Sequence, residues 1–348
     1  MHTCIAPKLV LKAAFSATPL PCHTMMFLLV SAALGAAAPG LYGYENNPKS
    51  KLSLFDATGA LTEVGPVAFD PWRIGVGTQE VAVVPENGMM YMLGLNESGG
   101  RGHEIPVISA VSLADASVAF MIPSPLAYAG GYVGTGQSIH YGTKGKLILT
   151  GISPDTMLHT AWSMDTTQGH TFTKLSEGFL VNSTLDFDPS VTLDYVNNIL
   201  WRIVPPVPRT HMGFTLVGIK LDDGTEAGRY TLNRGTDRLP SAMEFDASSG
   251  KLICTYYFDH RSYVMAFDTT TFEQTGLGEI VPGKGLYKGI STFDRATRTM
   301  YVFTRSDEEN GRQQIIGFSV ATKKVTLSSA VSSTDDITNI AFLGAPSK

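Results

Sequence analysis

The chain has 348 residues, of which 43% are hydrophobic and 16% are charged, so it has ample apolar material for a packed core and is not a disordered chain. Its formal net charge of −5 is small and gives no electrostatic case for binding nucleic acid or an anionic membrane surface. Its 35 glycines and 19 prolines are typical of a turn-rich, all-β protein.

Residues 1–38 differ from the rest of the chain. No Asp or Glu precedes Glu45, and the 13-residue apolar run from Met26 to Ala38 ends in small residues. This pattern is typical of a secretory signal peptide, and the run is too short to span a bilayer. The part before the run is long for a signal peptide. Translation therefore starts either at the first residue or at Met25 or Met26, or the segment is an organelle transit peptide.

This leader predicts a secreted mature chain without a membrane span, with an organelle lumen as the alternative location. Cys254 would be the only cysteine left after cleavage, so no internal disulfide is expected, and its apolar surroundings predict a core residue. Sequons at Asn96 and Asn182 fall in expected loops and are candidate glycosylation sites in a eukaryotic secretory pathway.

Residues 41–348 carry a repeat of about fifty residues. In each copy a strand ends in an apolar residue directly before a polar turn, and we call these six residues the blade anchors. They are Phe55, Leu113, Met164, Leu221, Phe267 and Val320. A strand–turn–strand pattern precedes most anchors and is clearest at residues 243–254 and 291–302. Six such four-stranded units predict a single all-β domain, a six-bladed β-propeller.

The two ends of the repeat complement each other. The first unit starts at Leu41 and lacks an inner strand, whereas residues 337–344 resemble an inner strand with no unit after it. We therefore expect the C-terminal strand to pair with the N-terminal strand and complete the first blade. Such closure removes the exposed sheet edges of an open ring.

This architecture resembles the broad superfamily of six-bladed propellers that includes NHL-repeat, strictosidine-synthase-like and SMP-30/gluconolactonase-like proteins. The resemblance covers residues 41–348 and rests on the blade pattern, which by itself implies no function. The segment Ser163–Phe172 is also similar to the Asp-box of sialidase-type propellers. It has two extra residues between Asp165 and Gly169 and occurs once, so it is predicted to be a turn between third and fourth strands.

Aligning the predicted inner strands places polar side chains around the central channel. The central positions are Ala82, His140, Asp194, Glu244, Thr292 and Ala341, and the polar residues two or three places earlier are Glu80, Ser138, Ser241 and Asn339. The candidate binding residues are His140, Asp194, Glu244, Glu80 and Asn339. Imidazole, carboxylate and amide groups can ligate a single divalent cation, Ca²⁺, Mn²⁺ or Zn²⁺. Alternatively, these groups line a wet channel and satisfy one another.

Most catalytic signatures are absent, including Gly-x-Ser-x-Gly, His-Glu-x-x-His and the P-loop. Basic residues such as Arg295 are interleaved with acids and are predicted to lie on a solvated face. The first functional hypothesis is a secreted interaction module that binds a protein or glycan partner through loops on one face. The alternative is a metal-assisted hydrolase or lactonase with its site in the central channel. A purely structural extracellular protein is the third hypothesis.

The leader is expected to be absent from the mature protein. N-terminal sequencing of the protein from its native source should give a first residue between about 36 and 41, because the small residues after the apolar run form the cleavage region. A soluble protein that retains Met1 or Met26 at its terminus would contradict secretion through this signal.

Overall fold

The structure is a computed structural model. It describes residues 37–45, 50–67, 72–74, 81–96, 105–126, 137–156, 159–179, 191–204, 215–232, 240–258, 261–281, 286–306, 313–331 and 337–344. Secondary structure within these ranges is confined to β-strands and turns. They contain no helix long and apolar enough to cross a membrane. Residues 1–36 of the predicted leader, which spans residues 1–38, lie outside the described residues.

Six antiparallel sheets, called blades one to six, account for the strands of the described ranges. Blade one contains β1 (Gly40–Glu45), β2 (Lys51–Phe55) and β3 (Leu61–Pro66). Blade two contains β4 (Trp72–Ile74), β5 (Val81–Val84), β6 (Met89–Asn96), β7 (Ile105–Ser112) and β8 (Val118–Pro123). Blade three contains β9 (Ser138–Tyr141), β10 (Lys146–Ile152), β11 (His159–Asp165) and β12 (Thr171–Phe179).

The remaining blades follow the same order. Blade four contains β13 (Val191–Asp194), β14 (Ile199–Val204), β15 (Thr215–Lys220) and β16 (Glu226–Thr231). Blade five contains β17 (Pro240–Asp246), β18 (Lys251–Phe258), β19 (Arg261–Asp268) and β20 (Gln274–Val281). Blade six contains β21 (Leu286–Asp294), β22 (Thr299–Ser306), β23 (Gln313–Ser319) and β24 (Lys324–Val331). The last strand, β25 (Ile337–Leu343), completes blade one. The predicted six-bladed β-propeller is confirmed.

Blade two has its inner strand in two pieces. Both β4 and β5 pair with β6, β4 at the end where Trp72 lies opposite Asn96, and β5 where Val84 lies opposite Met89. Asn96, whose sequon predicted a loop, is therefore the last residue of a strand. The other candidate glycosylation site, Asn182, lies outside the described residues.

The middle strand β18 is apolar on both faces because it lies between two neighbouring blades. In β18, Leu252 and Cys254 belong to the core shared with blade four, while Ile253 between them belongs to the core shared with blade six. Successive side chains of a strand point to opposite faces, so one strand supplies both cores. Cys254 is fully buried in this packing, as predicted for a core residue. All six blade anchors are likewise buried.

The turn from third to fourth strand is built in the same way in blades one to four. An Asp carboxylate accepts the backbone N–H and the hydroxyl of a Ser or Thr two residues later, as in Asp56 with Thr58 and Asp165 with Thr167. In blade five, Asp268 accepts backbone N–H groups of its turn. The Asp165 turn joins β11 to β12, so the prediction that the Asp-box-like segment is a turn is confirmed.

The two ends of the propeller pair as predicted. β25 runs antiparallel to β1, with Leu343 opposite Gly40 and Ile340 opposite Gly43. Ile340 packs in the core between blades six and one, and Leu343 packs in the core between blades one and two. The last strand therefore contributes to the cores on both sides of blade one.

The inner strands contact one another in the order β25, β5, β9, β13, β17, β21 and back to β25. In a closed ring of six blades, blade six faces blade three across the axis. An ion pair also clamps adjacent blades, since Arg298 of blade six donates to the buried carboxylate of Asp246 in blade five at 2.6 Å. The ring order determines which turns can meet at the channel.

Deleting residues 337–348 should strongly destabilise the protein. The deletion removes the inner strand of blade one and the apolar side chains of Ile340, Phe342 and Leu343, each worth about 1.5–3 kcal/mol when buried. Their loss approaches the stability of a typical domain, about 5–15 kcal/mol. Thermal unfolding should show a large fall in Tm or aggregation. A control that lacks only residues 345–348 should melt like the wild type, and near-native melting of the longer deletion would contradict ring closure.

Candidate binding site in the central channel

A cavity of about 410 Å³ occupies the propeller axis, and all six inner strands contribute to its wall. This volume is in the range of small-molecule sites. One register of inner-strand residues supplies a ring of side chains, comprising Ala82, His140, Thr192, Glu244, Thr292 and Ala341. Aromatic residues, including Tyr195 and Phe245, complete the lining.

The structure corrects the alignment of blade four by two residues. Leu193 lies opposite Leu200 as Phe245 lies opposite Leu252, so Thr192 occupies the channel register and Asp194 does not. Asp194 instead caps the turn after β13, where its Oδ1 accepts the backbone N–H groups of the two residues after Tyr195, at 3.0 and 2.9 Å. The sequence alignment failed because it assigned this turn a shorter length than it has.

The other predicted site residues are separated in the structure. Glu80 lies outside the described residues, and so does the side chain of Ser241. Asn339 is fully buried in β25 and does not belong to the cavity wall. Of the five candidate binding residues, His140 and Glu244 are the two that the described structure places at the cavity.

Glu244 joins blade five to blade six. The Ser291 hydroxyl of blade six donates a 2.7 Å hydrogen bond to Glu244 Oε1. The carboxyl is partly accessible to the channel but enclosed by protein. Burial therefore raises the pKa of Glu244 to about 7, against the opposing effects of the Ser291 hydrogen bond and the Arg295 charge. Near neutral pH, Glu244 can present either a neutral acid or a carboxylate to the cavity.

His140 is held within its own blade. Its Nε2 lies 2.9 Å from Ser138 Oγ, which in turn lies 2.7 Å from Thr150 Oγ1. Burial, with a smaller contribution from the positive charge of Arg295, lowers the pKa of His140 to about 3, so the imidazole is neutral at physiological pH. Among the described residues, no group of three His, Cys, Asp or Glu side chains is placed to hold a metal ion.

Four side chains from four blades meet where the cavity opens between the first turns of the blades, and we call them the mouth cluster. They are Glu86, Tyr141, Tyr195 and Arg295. Arg295 extends from blade six across the axis and donates hydrogen bonds to the Tyr141 carbonyl at 2.9 Å and to the Gly142 carbonyl at 3.3 Å.

The mouth cluster is held by its own contacts. The Arg295 guanidinium carbon lies 3.6 Å from the ring centroid of Tyr195, in cation–π contact. The Tyr141 hydroxyl donates to Glu86 Oε1 at 2.6 Å. The ring of Tyr195 also packs edge-on against Phe245, with centroids 5.7 Å apart. The cluster is thus a pre-organised group of aromatic and charged side chains over the channel.

Sequence reasoning missed this cluster. Arg295 belongs to a turn in which charges of both signs alternate, which is the pattern of a solvated face. Its contacts with blade three connect residues more than 150 positions apart, and only the ring order brings them together. The sequence does hold one signal for the cluster. The turn between the first and second strands of a blade begins with a large aromatic or basic residue in blades four and six, Tyr195 and Arg295.

Comparison with known proteins agrees with the fold. No protein-family model and no curated protein matches the chain. Among solved structures, TolB from Acinetobacter baumannii is 12% identical with a TM-score of 0.55, covering 92% of this chain and 70% of that chain. A chain of the nidogen/laminin complex is 14% identical with a TM-score of 0.53, covering 88% and 99%. PpgL, the periplasmic gluconolactonase of Pseudomonas aeruginosa, is 11% identical with a TM-score of 0.50, again covering 88% and 99%.

These neighbours are six-bladed-type β-propellers, so the predicted architecture is confirmed. At such low identity the likeness shows the fold alone, because one propeller architecture supports unrelated functions.

The Glu244 carboxyl should make stability depend on pH. Its pKa in the folded protein, about 7, lies above the ordinary value of 4.5. Between these values the folded state binds more protons, so the free energy of unfolding falls as pH rises. Glu244→Gln removes this fall. From pH 5 to pH 8 the wild type should lose on the order of 2 kcal/mol relative to the variant in urea unfolding.

His140 makes the same pH-dependent contribution to the free energy of unfolding in the wild type and in Glu244→Gln. That contribution therefore cancels when the two proteins are compared. Glu273→Gln, the same substitution at an exposed turn position of blade five, is the control and should follow the wild type. A stability difference between wild type and Glu244→Gln that does not change with pH would contradict this account of the channel.

Proposed function

We propose that this protein is a secreted binding module that holds a protein or glycan partner on the propeller face around the mouth cluster. The observation that carries the proposal is the position of that cluster, above a cavity to which all six blades contribute. Arginine and tyrosine are enriched among residues that dominate binding energies, especially in well-packed central positions. A group projecting from the partner would enter the cavity.

Pre-organisation supports this assignment. Two of the turns that carry the cluster are capped by buried carboxylates, Asp194 before Tyr195 and Asp294 before Arg295. Side chains that are already ordered lose little conformational entropy when a partner binds. Functional residues on short turns above a rigid scaffold are a common arrangement for recognition.

An exposed apolar side chain adjoins the cluster. Val196, next to Tyr195 in the turn of blade four, has 62% of its surface exposed. An apolar group beside aromatic and charged side chains provides the mixed chemistry of an interface core with a polar rim. Polar groups in the cavity, such as Thr192 and Glu244, would orient a hydroxyl-bearing or amide-bearing group of the partner.

The metal-assisted hydrolase remains the alternative hypothesis. His140 is hydrogen-bonded to Ser138 of blade three and Glu244 to Ser291 of blade six. In the described residues the two side chains are therefore not grouped as ligands of one metal ion. Calorimetric titration of metal-free wild type and Glu244→Gln with Ca²⁺, Mn²⁺ and Zn²⁺ tests this alternative directly. Tight binding by the wild type that the variant loses would favour the hydrolase over the binding module.

Binding should depend on the turn of blade four. The wild type is screened against a glycan array and a panel of extracellular protein domains, and the affinity for each ligand found is measured by interferometry. Tyr195→Ala and Val196→Asp should each weaken that affinity at least about tenfold, which corresponds to about 1.4 kcal/mol.

The matched control is Val325→Asp, since Val325 is an exposed valine on the outer strand β24 of blade six. Its affinity should stay within about twofold of the wild type, as expected for a residue outside the interface. Equal weakening by Val196→Asp and Val325→Asp, or full binding by both blade-four variants, would refute the proposed face.

A further inference from the structure

The cavity at the propeller axis has an excess of acidic side chains. The described residues that line it include one guanidinium group, that of Arg295, and three carboxyl groups, those of Glu86, Glu244 and Asp294. The lining imidazole of His140 is neutral, because burial lowers its pKa to about 3. A concave site lined mainly by one sign of charge attracts ligands of the opposite sign. The charges of the wall therefore favour a cationic group over a neutral or an anionic one.

Glu244 offers one carboxylate oxygen to such a group. Among the described residues, the hydrogen-bond donor to this carboxyl is the Ser291 hydroxyl, which donates to Oε1 at 2.7 Å. Oε2 is left for a ligand in the cavity. A carboxylate enclosed by protein without a cation in contact is costly, and this cost raises the pKa of Glu244 to about 7. A cation bound at Oε2 would remove much of that cost.

The mouth of the cavity already holds one cation against aromatic rings. The guanidinium carbon of Arg295 lies 3.6 Å from the ring centroid of Tyr195 and 5.1 Å from that of Tyr141. Both distances are within the cation–π range of about 6 Å. The cavity wall contains further aromatic rings, those of Phe245, Phe293 and Phe342. A ligand cation would therefore meet aromatic side chains as well as the Glu244 carboxylate.

The ring of side chains around the cavity is apolar on one side. Blades one and two contribute Ala341 and Ala82 to this ring, and their inner strands β25 and β5 contact each other. The two alanines therefore lie on the same side of the axis. The other four blades contribute polar side chains, those of His140, Thr192, Glu244 and Thr292. A ligand that fits such a ring has an apolar stem and a polar head.

We infer that the cavity receives a lysine side chain of a protein partner, whose ammonium group binds Glu244. This inference rests on the proposed function and specifies the group that enters the cavity. Lysine combines a four-carbon stem with a compact charge that donates three hydrogen bonds. The stem matches the alanine side of the ring, and Glu244 Oε2 and the Thr192 hydroxyl are acceptors for the ammonium group.

Other groups of a partner fit this site less well. The planar fork of arginine is suited to both oxygens of a carboxylate, and Ser291 already donates to one oxygen of Glu244. An N-terminal ammonium group has no stem, so it would bring peptide groups against the apolar side of the ring. A neutral sugar would leave the ionised Glu244 without a counter-charge.

Titration with a lysine probe, followed by NMR, tests this inference. The probe is Nα-acetyl-lysine methylamide, and the wild type should bind it in the millimolar range. Its Nε-acetyl derivative keeps the stem but lacks the charge, so it should bind at least about tenfold more weakly. Four comparison probes should bind no more tightly than the lysine probe. They are the arginine analogue, alanine methylamide for an N-terminus, butylammonium for a free amine, and methyl N-acetylglucosaminide for a glycan.

The affinity of the wild type for the lysine probe should rise with pH. The ammonium group of lysine stays protonated up to pH 8, with an ordinary pKa of about 10.4, whereas Glu244 must ionise to pair with it. With a pKa of about 7, about a tenth of the Glu244 carboxyl is ionised at pH 6 and about nine-tenths at pH 8. The affinity should therefore increase roughly tenfold over this range.

Other titratable groups near Glu244 do not produce this rise. His140 is neutral throughout, and burial raises the pKa of the Tyr141, Tyr195 and Cys254 side chains, so these also stay neutral. The charged groups that face the cavity from the neighbouring blades are Glu86, Asp294 and Arg295. Glu244→Gln should bind the lysine probe at least about tenfold more weakly and lose the pH dependence. The matched control, Glu273→Gln at an exposed turn position of blade five, should behave like the wild type.

Several results would overturn the inference. These are a wild type that does not bind the lysine probe, an affinity that does not rise between pH 6 and pH 8, an unchanged affinity in Glu244→Gln, and tighter binding of any comparison probe. The pH series uses the wild type alone and needs no variant. A partner whose binding depends on Tyr195 but not on Glu244 would refute the lysine inference and leave the proposed function intact. Binding of the lysine probe is measured without a partner, so either proposal can fail without the other.

Discussion

The pairing of β1 with β25 is the interaction on which the other features of the molecule depend. It joins residue 40 to residue 343 through a ladder of backbone hydrogen bonds and turns a row of sheets into a ring. Contacts between such distant residues have a high entropic cost, which the ladder and the two adjoining cores must offset. Without closure the cavity would lose the part of its wall formed by Ile340 and Ala341, and two sheet edges would be exposed.

Ring closure also fixes the positions of the residues of the mouth cluster and of the cavity wall. Arg295 can reach Tyr141 only because blade six faces blade three across the axis. Glu244 and Ser291 meet because blades five and six are adjacent in the same ring. Strand residues thus provide the scaffold and supply the cores, while the candidate functional groups come from short turns and from one register of the inner strands. Under the proposed function, substitutions in the turns would alter recognition without changing the fold.

The sequence predicts the fold well, because the fold rests on repeated local patterns. Each blade anchor, from Phe55 to Val320, precedes a turn and is buried, and these positions alone set the blade count. The site is less predictable because it depends on turn length and on distant contacts. The sequence pattern makes the turn after β13 too short, so it predicts Asp194 at the channel position where the structure places Thr192. Arg295 is exposed, as its sequence surroundings predict, but those surroundings do not indicate that its side chain extends across the channel to blade three.

The ionisable side chains of the channel differ between its interior and its mouth. Burial holds His140 in its neutral form and raises the pKa of Glu244 deeper in the cavity, whereas Arg295 and Glu86 lie at the mouth. A partner would then meet charge and aromatic surface first and hydrogen-bonding groups deeper in the cavity. The side chains of the mouth cluster come from blades two, three, four and six. A partner bound there would therefore contact blades on opposite sides of the propeller axis. Any ligand that binds only the closed ring must stabilise it by mass action, so recognition and ring closure are thermodynamically linked.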